Sequence, residues 1–257
     1  MPGAHDLLER AALNNAHWCD NVCAAHGRPG EFQPHIWLQH DGSPPFYPDA
    51  VTLSAQEGRS QERHIVALAH ARPHAVAVKD SFCRLDLAGH GFEILFDADW
   101  IALPFPEADR ESPAALSCLQ MRSDAELQRW EDNWAATSAP AGSRIFLPGL
   151  LSGPNIRFLL LLADGIPIGG GVLSHAAGVT GLSNVFSQGL PAEAVWKGLV
   201  TEAARIYPGL PLVGYESGDD LATARRAGFE SIGQLRVWLR RQSMLQPGGI
   251  TYMRQNQ

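Results

Sequence analysis

The stretch LPLVGYE, residues 210–216, ends a short apolar run on a phenol and a carboxylate, Tyr215 and Glu216. A carboxylate that closes an apolar strand is placed for a raised pKa, which suits it to accept a proton near neutral pH. A glutamate there serves equally well as a surface residue capping the next helix, and Tyr215 as a core aromatic. A second group of chemistry-bearing residues is HWCDNVCAAHG, where His17, Cys19, Cys23 and His26 are four zinc-type ligands in close succession. On one continuous helix Cys19 and Cys23 share a face while His17 lies well off it, and structural zinc sites draw ligands from separate elements. The expectation is a helix that buries Trp18, Val22 and the thiols, with no metal. A third candidate, GGG at 169–171, has the glycines of a phosphate-binding turn, but Val172 and Leu173 continue a strand where that motif needs a helix. These glycines mark a bulge or a close approach of backbones.

The elements that must position these residues follow from apolar spacing and turn signals. Phe158 to Leu162 reads as an apolar strand, Asp164-Gly165 as a two-residue hairpin turn, and Ile166 to Leu173 as the returning strand. A turn over 175–178 delivers a third strand, Val179 to Ser187, completing an antiparallel meander. Val195, Leu199, Ala203 and Ile206 recur at helical spacing, with Pro191 near the start and Pro208-Gly209 as the stop. LPLVGYE then returns as a strand, and a strand, helix and strand in succession imply parallel pairing with the strand ending at Ser187. DDLATARRAGFE follows as a short helix capped by Asp219 or Asp220 and closed at Gly228, before a last strand, GQLRVWLR.

Composition limits the partners. The 257 residues are 45% hydrophobic, enough for a large core, and Lys+Arg 20 against Asp+Glu 27 gives a net charge of −7. That balance leaves no basic stripe for a nucleic-acid backbone. The first fifteen residues interrupt any apolar run with charges, so no signal peptide is expected, and RFLLLLADG falls far short of the roughly 20 residues a membrane span needs. Four cysteines are too few for a disulfide scaffold and fit reduced thiols. A cytoplasmic protein with neither nucleic-acid nor membrane partners is expected.

An antiparallel meander, a parallel crossover, a short helix broken by Gly-Phe and a final strand make up an order that resembles the GNAT superfamily of acyl-CoA-dependent N-acyltransferases. The resemblance is carried by GLSNVFSQG, by AVWKGLVTEAARIYP and by LVGYESGDDLATARRAGFESIGQLRVWL, while LQMRSDAELQRWEDNWAA is similar to the family's first strand and helix. It covers about residues 115–243. It implies a mixed α/β fold whose mixed sheet is flanked by helices, acetyl-CoA or another acyl-CoA as co-substrate, and the amine of a small molecule or peptide as acceptor. The backbone of Val185, Phe186 and Ser187 would hold the pantetheine arm and an oxyanion, and Gln188, Gly189, Ala192 and Ala194 the pyrophosphate at a helix start. Glu216 would be the general base, Tyr215 the acid and Asn184 a group that orients substrate or water. Trp130, Trp134 and Asn155 lie in the region that would supply the acceptor pocket, the tryptophans at core spacing. The pyrophosphate loop departs from the family's Arg/Gln-x-x-Gly-x-Gly/Ala, and Ala224 stands where many members carry a tyrosine. The alternative is a GNAT-like module that binds acyl-CoA or a protein without turnover.

The N-terminal hundred residues echo the C-terminal ones. DAVTL, a helix, a strand, His90-Gly91-Phe92-Glu93 and a strand running to Trp100 match, in the same order and at almost the same spacing, the stretch from LSNVFS to Gly228-Phe229-Glu230 and Trp238. Two related lobes are expected: a degenerate one over 1–112, shortened by the lack of a meander before DAVTL, and the acyltransferase lobe over 113–243, with a tail over 244–257 and a linker at 109–116. In SPPFYPDAV, three prolines stiffen a loop presenting Phe46 and Tyr47, which either covers a pocket or packs a corner. Oligomeric state stays open, a homodimer included.

Overall fold

A computed structural model of the chain describes residues 4–107, 116–138, 144–188 and 192–241. Most of the linker, Gly189 and the C-terminal tail lie outside these residues. Helix α1 (Ala4–Ala25) leads into strands β1 (Glu31–Gln33), β2 (Ile36–Leu38) and β3 (Ala50–Thr52), helix α2 (Gly58–Ala71), β4 (Val76–Asp80) and β5 (Glu93–Leu103). The second half runs β6 (Leu116–Gln120), α3 (Asp124–Ser138), β7 (Ile156–Ala163), β8 (Ile166–Ala176), β9 (Val179–Ser187), α4 (Ala192–Ile206), β10 (Leu212–Glu216), α5 (Gly218–Arg226) and β11 (Glu230–Arg240).

All these strands join one sheet in the order β1-β2-β3-β4-β11-β5-β10-β9-β8-β7-β6. The order is nearly symmetric about its centre: in each half a strand, a helix and a parallel strand (β3-α2-β4 and β9-α4-β10) precede a last strand. Those last strands change places. β11 lies between β4 and β5, while β5 lies between β11 and β10. Each lobe's final strand therefore completes the ladder of the other. The N-terminal half does contain a meander, β1-β2-β3, contrary to the sequence expectation. Its strands are three residues each, too short for alternation to show.

Because helices cover both faces, the central strands read as continuous apolar runs. In β7, Phe158 and Leu160 face α1 and α3, whereas Leu159 and Leu161 face α4. Trp18 and Val22 of α1 are buried among them, as expected, with the Cys19 and Cys23 thiols. Helix α5 starts after Ser217 rather than at an aspartate; Asp219 and Asp220 occupy its first turn, where the helix dipole favours negative charge. Gly228, at φ +99°, stops it in a conformation that suits glycine. Phe229 then turns inward onto Trp196, their rings 5.3 Å apart and edge to face. The Gly-Phe pair thus ends the helix and pins the last strand to α4.

The glycines at 169–171 serve backbone approach. A Cβ on Gly170 would lie 2.4 Å from the Leu159 carbonyl oxygen and 2.9 Å from Cε1 of Phe186. Gly170→Val is therefore expected to cost about 3 kcal/mol by overpacking. A denaturant midpoint unchanged from that of the parent chain would show that the strands give way freely.

Candidate active site

Strands β9 and β10 pair in parallel at only two positions, Thr180 with Leu212 and Gly181 with Val213. Beyond these, β10 stays on β5 as far as Glu216 opposite Asp99, so the two strands part on the other side. At the same level β9 bulges: Gly170 faces Phe186 and Val172 faces Ser183, leaving Asn184 and Val185 to share Gly171. Asn184 adopts φ +52°, a left-handed conformation that asparagine tolerates better than most residues. The bulge and the unpaired edge free backbone groups for a ligand.

The gap opens into a cavity of about 220 Å³, walled by the bulge, Tyr215 and Glu216, the α1 face carrying Asn15 and Trp18, and Lys79 of β4. Burial, reinforced by the negative charge of Asp220, raises the Glu216 carboxyl from 4.5 to about 8. Its neighbour Tyr215 rests edge-on against Trp100, ring centroids 5.6 Å apart, and its hydroxyl accepts from Lys79 Nζ at 3.1 Å. That leaves the phenolic proton free to be given elsewhere. Ser183 Oγ, also at the cavity, is buried without a hydrogen-bond partner.

Helix α1 is held across the gap by polar ties. Asn14 Nδ2 donates to the Ser174 carbonyl at 2.9 Å, and Arg10 Nε to the Ala177 carbonyl at 3.0 Å. The loop of Phe46 and Tyr47 is equally constrained. Asp49 accepts from the backbone N–H groups of Ser43 (3.1 Å) and Ala77 (3.0 Å) and from Arg72 Nη1 at 2.6 Å, a buried ion pair. Phe46, 64% exposed and at φ +71°, leans on Trp134 at the rim, while Tyr47 is buried against Trp18. Both readings of this loop hold: Tyr47 packs and also lines the cavity. Its hydroxyl lies beside Asn184 and Trp18 without meeting either in hydrogen-bonding geometry.

The residues read from the sequence are brought together in part. Asn184, Val185, Tyr215 and Glu216 all line the cavity. Phe186 turns its side chain into the core against Trp130, so its backbone alone is left for a ligand, and Ser187 pairs with Gly169. Gln188 gives its backbone N–H to the Ile168 carbonyl (2.7 Å) and one of its two side-chain amide hydrogens to the Asn133 carbonyl (2.8 Å), which leaves one amide N–H. Ala192 and Ala194 sit in the first turn of α4, where small side chains leave backbone accessible. Of the two tryptophans, Trp130 is pure core, its Nε1 donating to the Leu159 carbonyl, whereas Trp134 also lines the cavity. Asn155 is not among the cavity-lining residues; its carbonyl accepts from the His175 backbone N–H. Ala224, on the inward face of α5, is fully buried.

Lys79, Asn15 and Tyr47 were not singled out as site residues by sequence. A lysine inside the apolar run VAVKD was the available signal, since such a residue rarely points into a core without a task.

The matching place in the N-terminal half is closed. Asp80 ends β4 as Glu216 ends β10, but its carboxylate accepts from the backbone N–H groups of Phe82 and Leu85. Ser81 donates its N–H to Thr52 Oγ1 at 2.8 Å across the β3 and β4 ends. Among the described residues no group of His, Cys, Asp or Glu is arranged to hold a metal, and no helix is long and apolar enough to cross a membrane.

No protein-family model matches this sequence, and no curated protein does. Solved structures do. A GCN5-related N-acetyltransferase from Kribbella flavida superposes with a TM-score of 0.59 at 20% identity, over 93% of this chain and 96% of that one. One from Sphaerobacter thermophilus gives 0.53 at 14% identity, over 91% and 93%. A tandem GNAT protein from the clavulanic acid biosynthesis pathway gives 0.50 at 15% identity, over 91% and 95%.

Proposed function

We propose that this chain, which has the GNAT fold in its two-lobed form, is an acyl-CoA-dependent N-acyltransferase acting on a small amine in its C-terminal lobe. The observation that carries the reading is the meeting of three features in one cavity: the parted β9 and β10, the bulge at Asn184–Val185, and a carboxyl at Glu216 whose pKa is raised to about 8. The free β9 edge offers peptide groups to the amides of a pantetheine arm, and the bulge offers backbone N–H groups to a developing oxyanion. Acyl-CoA, when bound, supplies the thioester.

Glu216 then takes the proton from the acceptor ammonium, leaving a nucleophilic amine beside the thioester carbonyl. As the C–N bond forms and the C–S bond breaks, Tyr215 protonates the departing thiolate, and the proton that the nitrogen sheds on becoming an amide passes through solvent to restore the phenol. The Lys79 ammonium, 3.1 Å from the hydroxyl and 4.2 Å from the ring centroid, stabilises the phenolate that results. Tyr215 so fills the role left open by Ala224. The small residues opening α4 receive the pyrophosphate, with help from the positive end of the helix.

Titration calorimetry with acetyl-CoA and with CoA tests the reading. Micromolar binding is expected, followed by thiol release in an amine screen. No binding of either would remove the acyltransferase assignment and leave a GNAT-shaped scaffold whose role lies with partners.

A further inference from the structure

Lys79 is an ammonium only 4% exposed, on a strand whose other members are apolar or buried. Its partners are all neutral: Asn15 Oδ1 at 2.7 Å, the Tyr215 hydroxyl at 3.1 Å and the face of the same ring. Among the described residues no carboxylate lies within 4.0 Å of it, although the chain carries a net charge of −7. A buried charge without a counter-charge is costly unless something supplies one. Two hydrogen bonds also leave one of its three donors unused, at the wall of the cavity.

Other unsatisfied groups meet it there. The Tyr47 hydroxyl and Ser183 Oγ are buried at the same cavity with no hydrogen-bond partner. A cation with nearby hydroxyl donors is the set that a carboxylate requires. The cavity is also polarised. Glu216 stands on β10 and Lys79 on β4, with β11 and β5 between those strands in the sheet and Trp18, Trp100 and Trp134 lining the same cavity. A zwitterion fits this field in one orientation, ammonium towards Glu216 and the thioester, carboxylate towards Lys79.

We infer that the acceptor is an amino-carboxylic acid with an apolar or aromatic side chain, whose carboxylate is received by Lys79 with Tyr47 and Ser183. This rests on the acyltransferase reading above, and it names the substrate class of that site.

The test compares L-phenylalanine with phenethylamine, and L-alanine with ethylamine, as acceptors at fixed acetyl-CoA. The acids are expected to exceed the matched amines in kcat/KM by about thirtyfold, the size of one hydrogen-bonded charge interaction. In Lys79→Met that ratio should collapse towards one, and Lys79→Arg should restore part of it. A general loss of activity, through Tyr215 or through folding, would lower both rates and leave the ratio standing. In parallel, N-acetyl-L-phenylalanine without CoA is expected to raise the melting temperature of the unaltered protein, and N-acetylphenethylamine to leave it unchanged. A Lys79-dependent shift without any acetyl-CoA turnover would uphold the carboxylate site while removing the acyltransferase reading. Amines equal to or better than acids, or a ratio unchanged in Lys79→Met, would overturn the inference. So would a preference for succinyl-CoA over acetyl-CoA with phenethylamine, which places the carboxylate on the acyl side.

Discussion

Replacing Glu216 by glutamine lowers kcat/KM for the acceptor by roughly a hundredfold to a thousandfold, the usual contribution of a positioned general base. In the unaltered protein the carboxylate is the active form, so kcat/KM rises with pH below about 8 and levels off above it. Glu216→Gln loses that limb. The same substitution moves stability in the opposite direction. Burial raises this carboxyl from 4.5 to about 8, so the folded chain holds a proton that the unfolded chain releases between those values. Its contribution to stability is full below pH 4.5 and is lost as the pH rises through 8. Glutamine removes the loss: the variant should match the parent near pH 4 and exceed it near pH 9, by a few kcal/mol at most because the cavity admits water. Thermal melts at both pH values, with a rate profile across them, check the prediction. Unchanged turnover with the rise below pH 8 intact would mean that another group or an ordered water takes the proton.

Trp130→Ala carries the largest expected cost in stability. The side chain is fully buried, with ring centroids 5.0 Å from Phe158 and 5.4 Å from both Phe146 and Phe186, each edge to face. Its removal opens a cavity and takes away the hydrogen bond that Nε1 donates to the Leu159 carbonyl. About 4 kcal/mol is expected from the first effect and about 1 kcal/mol from the second. In a chain of this size the melting temperature should fall by roughly 10 to 15 °C. Because Phe186 lies next to the β9 bulge, affinity for acetyl-CoA should weaken even where the variant remains folded. A melting temperature within two or three degrees of the parent, by about the precision of such a shift, would show that the cluster repacks.

Much of the second half was legible in the sequence because its elements are long and punctuated. Asp164-Gly165 placed the hairpin between β7 and β8, the spacing of Val195, Leu199, Ala203 and Ile206 placed α4, and Gly228-Phe229 placed the end of α5. The echo of Gly-Phe-Glu at 91–93 and 228–230 announced two related lobes, and each triplet leads into a final strand. The short strands β1 and β2 escaped because three residues carry no measurable period, and the cap at Ser217 escaped because two aspartates beside it are equally good candidates.

The candidate site divides in the same way. Tyr215, Glu216, Asn184 and Val185 stand out along the chain because a carboxylate or an amide ends or interrupts an apolar run, and local chemistry is what a sequence displays directly. Lys79, Asn15, Tyr47 and Trp18 reach the same cavity from β4, α1 and the proline loop, at separations of up to about two hundred residues from Glu216. Local propensity cannot foretell that β11 and β5 exchange places between the lobes, since that choice is made by pairing energies between distant strands. Joining both halves in one sheet brings Lys79 to Tyr215, so the pattern of hydrophobicity determined which elements exist, and only the tertiary sheet decided which charges face one another across the cavity.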